Sequence, residues 1–170
     1  MDSRIPEVVH HVVEQLSLKM NASVTLTGFK LIGGGCISHA SLLETSAGSF
    51  FLKWNHSSPS DFFIREAESL RELKKAAPSC LVIPEVILSA GKGTLPGYIL
   101  LEYLQGTHKG NMDENLGRGV AEIHKATAGS YGFCNNNYCG LTLQDNTWNT
   151  GWRHFYSQQR IGALVRKLVS

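Results

Sequence analysis

Three consecutive glycines, Gly33–Gly35, stand in "LIGGGCISHA", with Cys36 directly after them. Each glycine costs backbone entropy to order. A run of three therefore points either to a tight hairpin turn or to a backbone that must approach a ligand closely. Lys53 follows in "SFFLKWN", whose continuous apolar run Phe50–Leu52 predicts a strand covered on both faces. Strand geometry puts Phe51 and Lys53 on one face. A lysine there is costly unless it is paired, serves a ligand, or snorkels out at an edge. In "SDFFIREAESLRELKKAA", Phe63, Ala67, Leu70, Leu73 and Ala77 form one helical stripe with Glu66 near its middle. Glu68 and Glu72 fall on the opposite, solvated side. A glutamate facing the core needs a cation, and Lys53 is the one expected.

Glycine loop, strand lysine and helix glutamate, in that order, are the protein-kinase arrangement. Loop N–H groups would cover nucleotide phosphates, Lys53 would contact the α- and β-phosphates, and Glu66 would hold Lys53 in place. Ser38 takes the third glycine position of G-x-G-x-x-G, so that signature is only partly met. "YILLEYL" reads by itself as an ordinary core strand. Placed after the other parts it becomes the hinge, whose backbone near Glu102, Tyr103 and Leu104 would hydrogen-bond adenine.

The elements that must hold these residues are a helix near Ile5–Leu18 and strands around Ser23–Ile32, Ile37–Thr45 and Ser49–Trp54. The last two are joined by the turn "TSAG". A helix from Ser60, its N-cap, runs to Ala77 before Pro78. Two more strands lie in "LVIPEVI" and "GYILLEYL", the first interrupted by Pro84. "QGTHKGN" reads as a linker, followed by a helix over about Met112–Ala126 with Asn111 and Glu114 spaced as a capping box. Gly129–Thr147 reads as a long polar loop. A final helix from Thr150 carries an apolar face of Trp152, Phe155, Tyr156, Leu164 and Leu168, which awaits a partner.

The 170 residues are 42% hydrophobic and 18% charged, the composition of a globular chain. Sixteen Lys and Arg against fourteen Asp and Glu, with no basic run, argue against nucleic acid or a membrane surface as partner. The N-terminus reads as an amphipathic helix rather than a signal peptide, which makes a soluble cytoplasmic protein the expectation. Four scattered cysteines are too few for a disulfide scaffold. Cys134 and Cys139 lack a second Cys/His pair, so no metal site is expected in the chain.

The sequence resembles the fructosamine kinases, a family that includes the ketosamine and protein-ribulosamine 3-kinases. The likeness runs through "GGGCISHASLLETSAGSFFLKWN", "IREAESLREL", "IPEVI", "YILLEYL", "LGRGVAEIHKAT", "YGF", "NYCGLTLQDNTWNTGW" and "FYSQQRIGALV", covering about Leu31–Leu168. The late "NYCG" to "TGW" segment separates this family from aminoglycoside and choline kinases.

The resemblance implies an α+β, protein-kinase-like (aminoglycoside-phosphotransferase-like) fold. Residues 1–104 would form the small antiparallel-sheet N-lobe, five-stranded with a Glu-bearing helix. Residues 105–170 would form the hinge and the beginning of a helical C-lobe. The implied activity is ATP- and Mg²⁺-dependent phosphorylation of the sugar 3-hydroxyl of ketoamines, on small molecules or glycated proteins, which leads to deglycation.

Gly33, Gly34, Gly35, Lys53, Glu66 and the hinge Glu102–Gln105 match the family's ATP site. Asn137, Gly140, Gln144, Asn146 and Trp148 match positions that shape the sugar side of the cleft or support it. Cys36 is either a small residue packed under the loop or a redox brake, a disulfide between the loops of two chains in a homodimer.

The family's His-Gly-Asp catalytic loop has no counterpart, since none of Asp2, Asp61, Asp113 and Asp145 follows such a pair. The catalytic base and the Mg²⁺ ligands are therefore expected downstream of Ser170. The chain is thus expected to be the N-terminal part of such an enzyme, inactive alone and prone to associate. The alternatives are a non-catalytic nucleotide-binding or regulatory protein that ends at Ser170 and a related small-molecule kinase.

Overall fold

The computed structural model describes residues 5–33, 35–106 and 110–169. Its centre is a five-stranded antiparallel sheet built from β1 (Leu26–Leu31), β2 (His39–Thr45), β3 (Gly48–Asn55), β4 (Val86–Ala90) and β5 (Gly97–Glu102), in the order β1-β2-β3-β5-β4. β3 and β5 lie inside the sheet, which explains the continuous apolar run of "FFL" and the five consecutive buried residues that open β5.

The side chains alternate between two helices. Leu43, Leu52, Trp54, Tyr98 and Leu100 pack on α1 (Glu7–Met20) through Val8, Val9, Val12 and Leu16. On the other face Phe51, Ile99 and Leu101 pack on Phe63 and Ala67 of α2 (Phe62–Ala76). The result is the kinase-like small lobe expected from the sequence, with its sheet sandwiched between one helix per face.

Several boundaries differ from expectation, each for a local reason. α1 runs two residues further and ends where Asn21 turns left-handed at φ 50°, its N–H and that of Ala22 returning to Leu18 and Ser17. α2 begins at Phe62 with Asp61, not Ser60, at the cap position, and no side chain caps it. The Ser60 carbonyl instead accepts the Lys92 N–H at 2.7 Å, tying the helix entry to the end of β4. Leu73 is not part of the buried stripe, being 37% exposed. Glu68 is not a free solvated carboxylate but half-buried and paired with Arg65.

α3 (Met112–Ile123) starts after Asn111, again without the side-chain cap that the capping box predicts. It ends earlier than expected because Lys125 and Ala126 tighten onto carbonyls three residues back. The stretch read as a polar loop contains a hairpin, β6 (Asn137–Cys139) paired with β7 (Thr142–Gln144), whose turn needs Gly140 at φ +61°. The last helix is continuous from Trp152 but changes winding, from α4 (Trp152–His154) through a π-helical stretch Phe155–Gly162 to α5 (Ala163–Leu168). Phe155 is buried, whereas Trp152, Tyr156, Leu164 and Leu168 stay exposed. Among the described residues no helix is long and apolar enough to cross a membrane.

Candidate functional site

Lys53 sits on β3 opposite Ala40 on one side and Ile99 on the other, so its stem is fixed by the sheet. Its Nζ donates to Glu66 Oε1 at 2.6 Å. Their side chains are 29% and 26% exposed, an ion pair at the wall of a cleft rather than in the core. The cleft has a volume of about 720 Å³, within the range of small-molecule sites. Gly33, Gly35, Cys36 and Ile37 of the glycine loop, Lys53 and Glu66, and Asn137 and Gly140 of the hairpin all line it, Gly140 lying against the Ile37 side chain.

The glycine loop is pinned at both ends. Ile32 N–H donates to the Ala40 carbonyl at 2.8 Å, and Asn55 Nδ2 donates to the Ile37 carbonyl at 2.5 Å. A Cβ added at Gly33 would meet open space, while one at Gly35 would press on the Ser38 carbonyl at 3.0 Å. A side chain at Gly35 would therefore have to push the Ser38 carbonyl of the loop aside. Gly33 leaves room in front of the backbone, as close approach of a ligand demands. Gly34 lies outside the described residues, and so does Ser170, downstream of which the catalytic base is expected.

The cleft gathers Gly33, Gly35, Cys36, Lys53, Glu66, Asn137 and Gly140. It does not include Glu102–Gln105. Glu102 pairs with Phe50, three register positions from Lys53, or about 10 Å along the sheet at the usual rise per residue. Its backbone N–H donates to the Glu85 carbonyl, and its carboxylate accepts the Glu85 N–H. Gln144 stands opposite Asn137 in the hairpin.

Asn146 is 2% exposed and serves as a structural knot. Its Nδ2 donates to the Asn135 carbonyl and to Asn137 Oδ1, its Oδ1 accepts from Arg160, and its backbone N–H donates to Asn136 Oδ1. Trp148 is half exposed, and its Cα and ring pack so closely on Gly132 that a Cβ there would come within 2.9 Å of both. Asn146 ties the hairpin segment and Trp148 packs on Gly132; neither lines the cleft. Cys36, Cys80, Cys134 and Cys139 are free thiols.

The spacing of apolar residues missed three contributors. Tyr138 O–H donates to Asp61 Oδ1 at 2.7 Å, and Arg65 Nε donates to Asp61 Oδ2 at 2.9 Å. The Tyr138 hydroxyl and the Arg65 guanidinium together hold the Asp61 carboxyl below the ordinary aspartate range. The same carboxylate, with some burial, pushes the Tyr138 phenol up. Asp61 and Arg65 at i, i+4 are readable as a helix pair. Nothing local in the sequence points from Tyr138 to a residue 77 positions earlier.

ATP fits these residues: a roomy glycine backbone faces an ammonium already oriented by a carboxylate. A Mg²⁺ ion does not fit the described residues. Glu66 is the one carboxylate lining the cleft among them, and its Oε1 already accepts from Lys53. No three His, Cys, Asp or Glu side chains gather as a metal site among them either.

The fructosamine kinase pattern matches residues 8–169. A chloroplastic protein-ribulosamine 3-kinase of Oryza sativa subsp. indica is 35% identical over 156 residues, covering 88% of this chain and 44% of the relative. Its counterpart in Arabidopsis thaliana is 35% identical over 157 residues, covering 91% and 47%. The crystal structure of a candidate fructosamine-3-kinase from Haemophilus somnus 129PT superposes with a TM-score of 0.78 at 23% identity, over 91% of this chain and 52% of that one. The chain spans about half the length of the curated relatives it matches. With the pattern running through nearly every described residue, the chain belongs to the fructosamine kinase family.

Proposed function

We propose that this chain carries the ATP-binding part of a kinase that phosphorylates the sugar 3-hydroxyl of ketoamines, on small molecules or on glycated proteins. The observation that carries the reading is the 2.6 Å Lys53–Glu66 ion pair facing the glycine loop across an open cleft. Family membership supports this substrate class. Residues 1–104 act as the small lobe and 105–170 as hinge and first part of the helical lobe, with the catalytic base supplied from downstream of Ser170.

Lys53 gives its charge to the α- and β-phosphate oxygens, and Glu66 spares it the cost of being oriented when nucleotide arrives. Backbone N–H groups of Gly33 and Gly35 cover the phosphates. The backbone of Glu102–Gln105, about 10 Å along the sheet from Lys53, takes adenine. Asn137 and Gly140 take the sugar side, with Gln144, Asn146 and Trp148 supporting them. Cys36 at the loop is the thiol through which an oxidant would restrain that loop in a homodimer, and the protein works in the cytoplasm. The described residues offer no Mg²⁺ ligands, and no step is assigned to the ion.

The test uses protein made from its complete coding sequence, given MgATP with a fructoselysine, choline or an aminoglycoside. Phosphate appearing on the ketoamine 3-hydroxyl alone is the expected result. Turnover of choline or the aminoglycoside without the ketoamine would assign a different small-molecule kinase. ATP binding with no turnover of any would assign a non-catalytic binding protein.

A further inference from the structure

α2 presents three parallel stripes, each spaced i, i+4, i+7. Phe63, Ala67 and Leu70 face the sheet. Phe62, Glu66 and Ser69 face the cleft. Asp61, Arg65 and Glu68 face the segment around the hairpin. At 3.6 residues per turn, successive stripes lie about 100° apart around the helix.

The sheet stripe fixes which face of the helix is buried, but apolar contact is not directional and does not by itself set the small roll that aims Glu66. The third stripe is directional. Tyr138 O–H and Arg65 Nε occupy the two oxygens of Asp61, Arg65 Nη1 donates to Glu68 Oε2 at 3.0 Å, and Asn135 Nδ2 donates to the same oxygen at 3.1 Å. The Tyr138 ring also lies 5.4 Å from that of Phe62. Asp61 stands where an aspartate ordinarily caps the helix. Its side chain makes no cap bond and serves the clasp instead.

We propose that Tyr138 and Asn135 are positioning residues, which fix the roll of α2 so that Glu66 reaches Lys53. Helix position controls this ion pair in kinases generally, and here the brace comes from the hairpin segment. The consequence for nucleotide rests on the ATP-site reading above; the clasp itself does not.

Competitive acetylation with acetic anhydride, without nucleotide, reads the brace directly. Acylation needs the Lys53 nitrogen free to meet the reagent, so an Nζ held against Glu66 at 2.6 Å is shielded and reacts slowly, and Lys30 and Lys92 serve as internal references. Tyr138→Phe is expected to raise the Lys53 rate about 2–5-fold with both references unchanged. Glu66→Gln sets a ceiling, and the double variant should not exceed it, because Tyr138 acts only through Glu66. Asn135→Ser, at the exposed end of the clasp, should give a smaller rise of the same sign.

An unchanged Lys53 rate in Tyr138→Phe overturns the proposal. So does a rise added on top of Glu66→Gln, or a rise at all three lysines in both clasp variants, since that reports loosened structure rather than a rolled helix. Repeating the labelling with ATP separates the two readings. ATP protection of Lys53 without a clasp effect sinks only the brace; a clasp effect without ATP protection sinks only the nucleotide site.

Discussion

Lys53 and Glu66 are partly exposed, so their pairing contributes little to stability, about 1 kcal/mol or less. Their value is in binding. Lys53→Met is therefore expected to leave the melting temperature within a few degrees while weakening ATP at least about 10-fold by calorimetry, as loss of a charge-assisted phosphate contact requires. Asp61 behaves differently, because its folded-state pKa is depressed, chiefly by the Tyr138 hydroxyl and then by Arg65. Its contribution is complete above the unfolded aspartate value of about 3.9 and is lost as pH falls through the lower folded value. Tyr138 has a raised pKa, so its share is complete below about 10 and is lost as pH rises through the folded value. The urea midpoints of wild type and Tyr138→Phe should differ by a constant amount between about pH 5 and 9 and converge below about pH 4.

At the scale of elements, β3 and β5 are the members on which both helices depend. Leu100 is fully buried between β3 and β4 on the α1 side. Leu100→Ala should cost about 2–5 kcal/mol in chemical denaturation, the range for a leucine cavity that cannot collapse. The hairpin depends on Asn146 rather than on apolar packing, since β6 and β7 have three residues each. Asn146→Ala would remove the bonds to Arg160, Asn137 and the Asn135 carbonyl, at a total cost of about 1–3 kcal/mol because these partners reach water. Hydrogen exchange should then quicken across 131–149, with the five-stranded sheet little changed.

At the scale of the molecule, the small lobe is closed on both faces while the following helices are not. Leu116 and Val120 of α3, and Trp152, Tyr156, Leu164 and Leu168 of the last helix, are all exposed. Apolar area of this kind favours association. The 170-residue chain should sediment with a concentration-dependent mass, and Leu164→Glu with Leu168→Glu should lower it without shifting the unfolding of the sheet. A monomer at all concentrations would contradict this.

The order of parts follows from the chain itself. Glycine run, strand lysine and helix glutamate were readable because strand and helix periodicities are local, and alternation puts Lys53 and Phe51 together whatever else the chain does. The five strands were readable for the same reason, from apolar runs bounded by turn residues. Periodicity said nothing about contacts between distant segments. The hairpin at 137–144 has strands too short to show a period, and it exists because Asn146 ties its ends and Gly140 can turn at φ +61°. Ser60 does not cap α2 because the helix starts after Asp61, whose carboxylate oxygens are taken by Tyr138 and Arg65 rather than by the helix end. Tertiary structure alone therefore decided that the hairpin forms a wall of the cleft, that Asn146 ties it while Trp148 packs on Gly132, and that the helix carrying Glu66 is held on two sides. Each depends on hydrogen bonds across long stretches of chain, whose geometry no local pattern encodes.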